Sequence, residues 1–183
     1  GSHSQILDTY SWERNKEIID LHKNKIIDVM GTCKKTLLPF YEYMGYNASF
    51  LTNKVDVKIE KEEKNTKTTI GLYAAKCSDW RKNMYTQMLA VSLMDNVTLD
   101  MVPLNDEANS FAKSINLEIT GEKNNIKREE LIKRMSKNDV NLYVTFSECA
   151  PMLPLESLEV DVPCITGNNH HYFENNNLKR HLV

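Results

Sequence analysis

At 183 residues, 41% of them hydrophobic and 26% charged, the chain can bury a substantial core and has the length of one domain, or one domain plus a fragment. A net charge of -2 gives no electrostatic ground for binding nucleic acid, which leaves a basic face or stripe, so any phosphate site must be local. The longest apolar runs, such as residues 142–146, fall far short of the roughly 20 residues needed to cross a bilayer, and no secretory leader opens the chain. The expected location is cytoplasmic, either free or held at the cytoplasmic face of the membrane by other parts of the full protein.

Gly1, Ser2, His3 and Ser4 read as the remnant of a cleaved tag. Residues 26–30, 34–44 and 48–52 read as strand, helix and strand, and residues 5–56 are expected to be the end of a separate amino-terminal domain with its joining segment. Residues 58–67 are dominated by Lys, Glu, Asn and Thr and mark an exposed connection.

From residue 57 onward, short apolar runs alternate with amphipathic stretches. Strands are predicted over 69–75, 97–103, 117–120, 141–146, 162–166 and 181–183, and helices over 81–94, around 108–115, around 131–135 and over 152–160. The helix near 108 is well signalled: Ala108, Phe111, Ala112 and Ile115 share one face behind Asn105 and Asp106 as caps. This rhythm predicts an α/β fold, a Rossmann-like, doubly wound parallel sheet with helices on both faces. The last predicted strand lacks the helix that should cover it, so a chain truncated at its carboxyl end is expected.

In open α/β sheets ligands bind beyond the carboxyl ends of the strands. Two loops there carry chemistry. The first holds Lys76, Arg81 and Lys82 before a helix, three basic residues suited either to an anion or to plain solvation. The second runs from Ser147 to Glu159 and holds Glu148 and Glu156 with seven residues between them; Glu122 and Glu130 repeat that spacing, so spacing alone decides nothing. Context separates the pairs: Glu148 follows an apolar strand, and Glu156 lies in the first turn of a helix opened by Pro151 and Pro154. Acidic stabilisation of the helix dipole is the plain alternative for that pair.

Cys33, Cys77, Cys149 and Cys164 form no close pair, which speaks against a zinc knuckle or redox motif, and adjacent His170 and His171 do not converge as metal ligands by themselves. No metal site is expected. Trp80, Tyr73 and Phe173 could stack on a base or pack at the rim or in the core. The phosphate cradles of dinucleotide-binding and P-loop proteins are missing.

The run from Glu148 through Glu156 to Val162-Pro163-Cys164-Ile165 resembles the signature of retaining GT-B glycosyltransferases of the glycosyltransferase group 1 and glycogen-synthase type: two glutamates seven residues apart, then a small-residue helix and a GVPVI strand. Gly71 with Arg81-Lys82-Asn83 resembles their phosphate loop, and residues 51–56 their interdomain segment. The order is kept over about 130 residues, from Asn53 to Val183. Pro151 and Asp161 replace glycines of that pattern, and Cys77 stands where its first basic residue belongs.

The resemblance implies that residues 57–183 are the carboxyl-terminal, nucleotide-sugar-binding domain. It further implies transfer from a UDP-, GDP- or ADP-sugar to a glycan or lipid-linked acceptor, with retention, and without metal or cofactor. Lys82 would bind the diphosphate with help from Lys76 or Arg81, Glu148 the donor sugar, and Glu156 the ribose. Backbone N–H groups around Ala150, Met152 and Leu153 would add to phosphate or sugar binding. The acceptor would be held mainly by the amino-terminal domain, leaving this fragment inactive or weakly active. The competing reading is a non-catalytic nucleotide- or carbohydrate-binding module of the same fold.

Overall fold

The computed structural model describes residues 9–56, 59, 62–73, 79–148 and 150–170. Its main body is a parallel sheet of five strands, β3 (Thr68–Leu72), β4 (Val97–Met101), β5 (Ile119–Gly121), β6 (Val140–Tyr143) and β7 (Cys164–Thr166), in the order β5-β4-β3-β6-β7. The register pairs Ile70 with Leu99 on one side and with Val140 on the other. The chain therefore winds outward from β3 in one direction through β4 and β5, then in the other through β6 and β7. This is the doubly wound sheet expected from the sequence, with its topological switch between β3 and β6.

Period-two alternation decides which face each helix covers. Ile70, Leu72, Val97, Leu99, Met101 and Leu142 face α3 (Met84–Ser92) and α4 (Asp106–Ser114), and bury against Met88, Val91, Ala108 and Ala112. Full burial of a side chain such as Leu99 or Met88 contributes about 1.5–3 kcal/mol. Helix α4 starts as its sequence predicts, with the Asn105 side chain accepting the Ala108 amide at 2.8 Å.

The opposite face is covered by α5 (Arg128–Ser136) and α6 (Leu153–Glu159), and it is unusually polar. A second apolar cluster, including Tyr73, Ile132, Met135, Leu153 and Val162, surrounds a chain of buried hydrogen bonds. Arg134 forks onto Asp100, Asp100 accepts Tyr73 Oη–H at 2.5 Å, and Tyr73 accepts Asn138 Nδ2 at 2.6 Å. Asn138 then reaches Asn141 at 2.9 Å, and Asn141 reaches Ser157 at 2.8 Å. Burial and the neighbouring Asp100 charge hold the Tyr73 hydroxyl well above its ordinary pKa, so it stays a donor. Tyr73 is thus a core residue and not a surface for stacking a base.

Gly71 belongs to this network. A Cβ there would lie 2.1 Å from Asn141 Oδ1 and 2.3 Å from Asn138 Nδ2. It sits within β3, where the sequence resemblance had placed it in a phosphate loop, and its bareness lets the two amides cross the sheet. Gly121, at φ +153°, ends β5 where a Cβ would meet Met101 O at 1.9 Å.

The segment before residue 57 forms its own small cluster. Strands β1 (Met30–Thr32) and β2 (Ala48–Phe50) pair in parallel, and Met30, Tyr41 and Tyr46 pack against Ile18 and Ile19. The strand predicted over 26–30 lies later in the chain than expected. The first helix, α1 (Thr9–Lys23), was not anticipated, and the short α2 (Leu38–Tyr43) falls inside the predicted helix. The strand expected over 181–183 lies outside the described residues. Among the described residues no helix is long and apolar enough to cross a membrane.

Candidate functional site

The carboxyl ends of β3 and β6 diverge at the switch point, and the two loops singled out in the sequence meet there. After β3, a 3-10 turn over Trp80–Lys82 is capped by Asp79, whose carboxylate accepts the Arg81 amide at 3.2 Å. Asn83 follows in the left-handed region at φ 52°, a conformation Asn tolerates, and its side chain donates to Val144 O at 3.1 Å. Phe146 N donates to Arg81 O at 2.8 Å, which stitches the two loops together.

Gln87 completes the junction. It is 4% exposed on an otherwise apolar helix face, and its amide donates to Lys82 O at 2.9 Å and to Asn83 O at 3.2 Å. Its carbonyl accepts Val144 N–H at 2.8 Å. One side chain thus satisfies backbone groups on both sides of the crevice.

Within this frame Lys82 Nζ lies 2.5 Å from Glu148 Oε1 and 2.9 Å from Tyr143 Oη. Tyr143 in turn donates to the same glutamate oxygen at 2.9 Å, and its ring lies beneath the ammonium, 5.2 Å away. Lysine, tyrosine and glutamate form a closed triangle at the end of β6. Burial, followed by the Glu148 charge, raises the Tyr143 pKa, so the hydroxyl keeps its proton and remains a bridge.

The predicted site residues divide as follows. Lys82 and Glu148 are brought together, across 66 positions of sequence. Arg81 is committed to Asp79 in a two-point fork, with both contacts 2.8 Å, and that guanidinium holds the Asp79 carboxyl below its ordinary pKa. Lys76 and Cys77 lie outside the described residues. Ala150 carries its carbonyl to Asn53 Nδ2 at 2.8 Å, which ties the amino-terminal segment to this loop. Met152 occupies the N-cap position of α6 without a side-chain capping bond, and Leu153, the first residue of the helix, buries its side chain in the second core cluster.

Glu156 sits in the first turn of α6 with its side chain 8% exposed, held by Arg128 Nε at 2.7 Å. The sequence reading overlooked Arg128. Its signal was a basic residue at the start of a helix, where the dipole disfavours positive charge unless a partner compensates it. The decoy pair behaves differently: Glu122 binds Arg134 at 3.4 Å, and Glu130 lines a cavity of about 810 Å³ near the amino ends of the strands, with basic and acidic residues interspersed.

Trp80 and Phe146, 71% and 60% exposed, stack at 6.4 Å on the rim, one from each loop. His170 is buried after β7; His171 and Phe173 lie outside the described residues. Among the described residues no three His, Cys, Asp or Glu side chains converge.

No family model matches the sequence, and no curated protein matches it. Solved structures match its fold. Sucrose-phosphate synthase from Thermosynechococcus elongatus superposes with a TM-score of 0.69 at 13% identity, over 93% of this chain and 47% of that one. A TarM variant of S. aureus, solved with fondaparinux, α-GlcNAc-glycerol and UDP, gives 0.67 at 12% identity, over 93% and 36%. A UDP-forming α,α-trehalose-phosphate synthase from Burkholderia xenovorans gives 0.66 at 10%, over 94% and 54%. This chain therefore spans about half or less of the length of these proteins.

Proposed function

We propose that this chain, whose fold matches that of GT-B glycosyltransferases, is the carboxyl-terminal, donor-binding part of a retaining, metal-independent glycosyltransferase. The observation that carries this reading is the Lys82–Tyr143–Glu148 triangle at the switch between β3 and β6, the place where open α/β sheets bind ligands. Two of its three members are the residues that the family pattern assigns to donor chemistry.

Lys82 neutralises the diphosphate as the bond to the sugar breaks, in the role that a divalent cation fills elsewhere. Glu148 accepts hydrogen bonds from hydroxyls of the donor sugar. Glu156, oriented by Arg128 through Oε1, accepts ribose hydroxyls. Tyr143 touches both charged groups and holds them in register. The acceptor is a glycan or similar hydroxyl compound, bound largely by residues outside the donor domain. UDP-sugars are the first donors to test, because UDP features in the names of two proteins of this fold.

The test is calorimetric titration of the 183-residue chain with UDP-, GDP- and ADP-sugars in the presence of a chelator. At least one is expected to bind, and Lys82→Ala and Glu156→Ala each to weaken it by about tenfold or more, one charge-assisted contact being about 1.5–3 kcal/mol. Absence of binding by all three, or binding that requires magnesium, overturns the reading.

A further inference from the structure

A second recess opens beside the crevice. At the carboxyl end of β1, Thr32 is fully buried and its hydroxyl accepts the Lys34 amide at 3.2 Å, so the Lys34 side chain springs from a fixed turn. It crosses to the loop after β6, where Nζ donates to the Glu148 carbonyl at 3.1 Å. An ammonium has three donors, and among the described residues no carboxylate pairs with this one.

The recess has a volume of about 280 Å³, near the lower end of the ~300–1,000 Å³ of small-molecule sites. Lys34 and Thr36 form one wall, Phe146 and Ser147 another, and residues 168–170 the third; among the described residues no acidic one lines it. Asn169 is fixed by its Nδ2, which donates to Thr145 Oγ1 at 2.9 Å and to the Thr145 carbonyl. A carbonyl only accepts, so the amide cannot be turned over. Its Oδ1 is consequently directed elsewhere, buried and without a donor among the described residues.

Among the described residues the site thus offers one cation without a carboxylate partner, one acceptor lacking a donor, two hydroxyls and an exposed aromatic ring. We infer that it binds a single acceptor sugar unit bearing an oxyanion, phosphate or carboxylate, with Lys34 on the anion and Asn169 Oδ1 on a ring hydroxyl. The ring of Phe146 supplies apolar surface for the C–H face of the sugar. Glu148 joins the two sites, since its carboxylate meets Lys82 and its carbonyl meets Lys34. An occupant here lies next to the donor sugar. That the occupant is the acceptor rests on the donor-crevice reading; the anion site does not.

Ligand-observed saturation-transfer NMR on the 183-residue chain tests this with glucose 6-phosphate, glucuronate and glucose, with and without saturating UDP. Both anionic sugars are expected to bind about tenfold or more tightly than glucose, the yield of one charge-assisted contact. Lys34→Ala should abolish that preference and Lys34→Arg restore it, while Lys82→Ala and saturating UDP leave it in place. A preference that survives Lys34→Ala, or one lost with Lys82→Ala or UDP, overturns the proposal, the second pattern placing the anion in the diphosphate site. Equal or absent binding of all three sugars overturns it as well. If UDP fails to bind while the Lys34-dependent preference persists, the donor reading falls and the anion site stands.

Discussion

Adding one methyl group at Gly71 is the sharpest test of the polar network under the sheet. The new Cβ would sit 2.1 Å from Asn141 Oδ1, 2.3 Å from Asn138 Nδ2 and 2.6 Å from Tyr73 Cε2. None of these atoms has slack, because Asn138 and Asn141 are fully buried and bonded to each other, to Tyr73 and to Ser157. Relief requires at least one amide to withdraw by about an ångström, an overpacking cost of about 1–3 kcal/mol. That withdrawal strands one or two buried polar groups at about 1–3 kcal/mol each. With one group stranded, Gly71→Ala is therefore expected to lose about 2–6 kcal/mol, a large share of the roughly 5–15 kcal/mol that holds a domain folded. Gly31→Ala is the control: its Cβ would lie 2.4 Å from the tip of Leu51, which is 52% exposed and free to move, so the loss should stay below about 1 kcal/mol. Urea unfolding followed by circular dichroism measures both. A Gly71→Ala loss under about 1 kcal/mol at unchanged slope would refute the argument that this glycine serves the network.

Asp100→Asn should destabilise by about 2–4 kcal/mol in the same assay; Arg134 keeps some contact with water, which places the loss toward the low side of the ~3–5 kcal/mol for breaking a fully buried pair. Glu148→Gln removes the carboxylate that neutralises Lys82, so calorimetry should show UDP, which carries no sugar, binding several-fold more tightly to the variant; weaker UDP binding would contradict the assignment of Lys82 to the diphosphate. Asp79 should titrate by NMR below 3.8, and Arg81→Ala should return it toward that value. Because its folded pKa is depressed, Asp79 stabilises the fold above its unfolded value, and this contribution fades as the pH falls through the folded one. Burial pushes the Cys164 thiol up to about 12, leaving roughly 10⁻⁴ of it ionised at pH 8, so alkylation followed by mass spectrometry should find it far slower in the native than in the unfolded chain.

The sequence made the architecture legible because β3, β4, α3 and α4 have local signatures: apolar alternation, a capping Asn105, a turn-ending Gly121. Proline at the start of α6 and the glutamates around it were legible for the same reason. Helix α1 escaped notice because its burial depends on Met30, Tyr41 and Tyr46, which lie elsewhere in the chain. Lys82 and Glu148 were readable through a family pattern, but Tyr143 was hidden inside an apolar strand, and Gln87 inside a helix whose other buried residues are apolar. Lys34 had no local signal of function, and Arg128 only that of a basic residue at the start of a helix. Their meaning comes from partners 114 and 28 positions away, a pairing that only the fold supplies.

The triangle at the end of β6 also sets a condition on whatever enters the crevice. With its cation and anion already satisfying one another directly, and Tyr143 bonded to both, the resting site is electrically self-quenched. An inorganic anion that captures Lys82 abandons Glu148, and a neutral sugar that engages Glu148 leaves the lysine paired to a crowded oxygen. A molecule that presents phosphate and hydroxyls together, at the right separation, compensates both ends at once. On the proposed donor-site reading, the ion pair would work as a logical AND on the ligand, rewarding a molecule that answers both halves of the question.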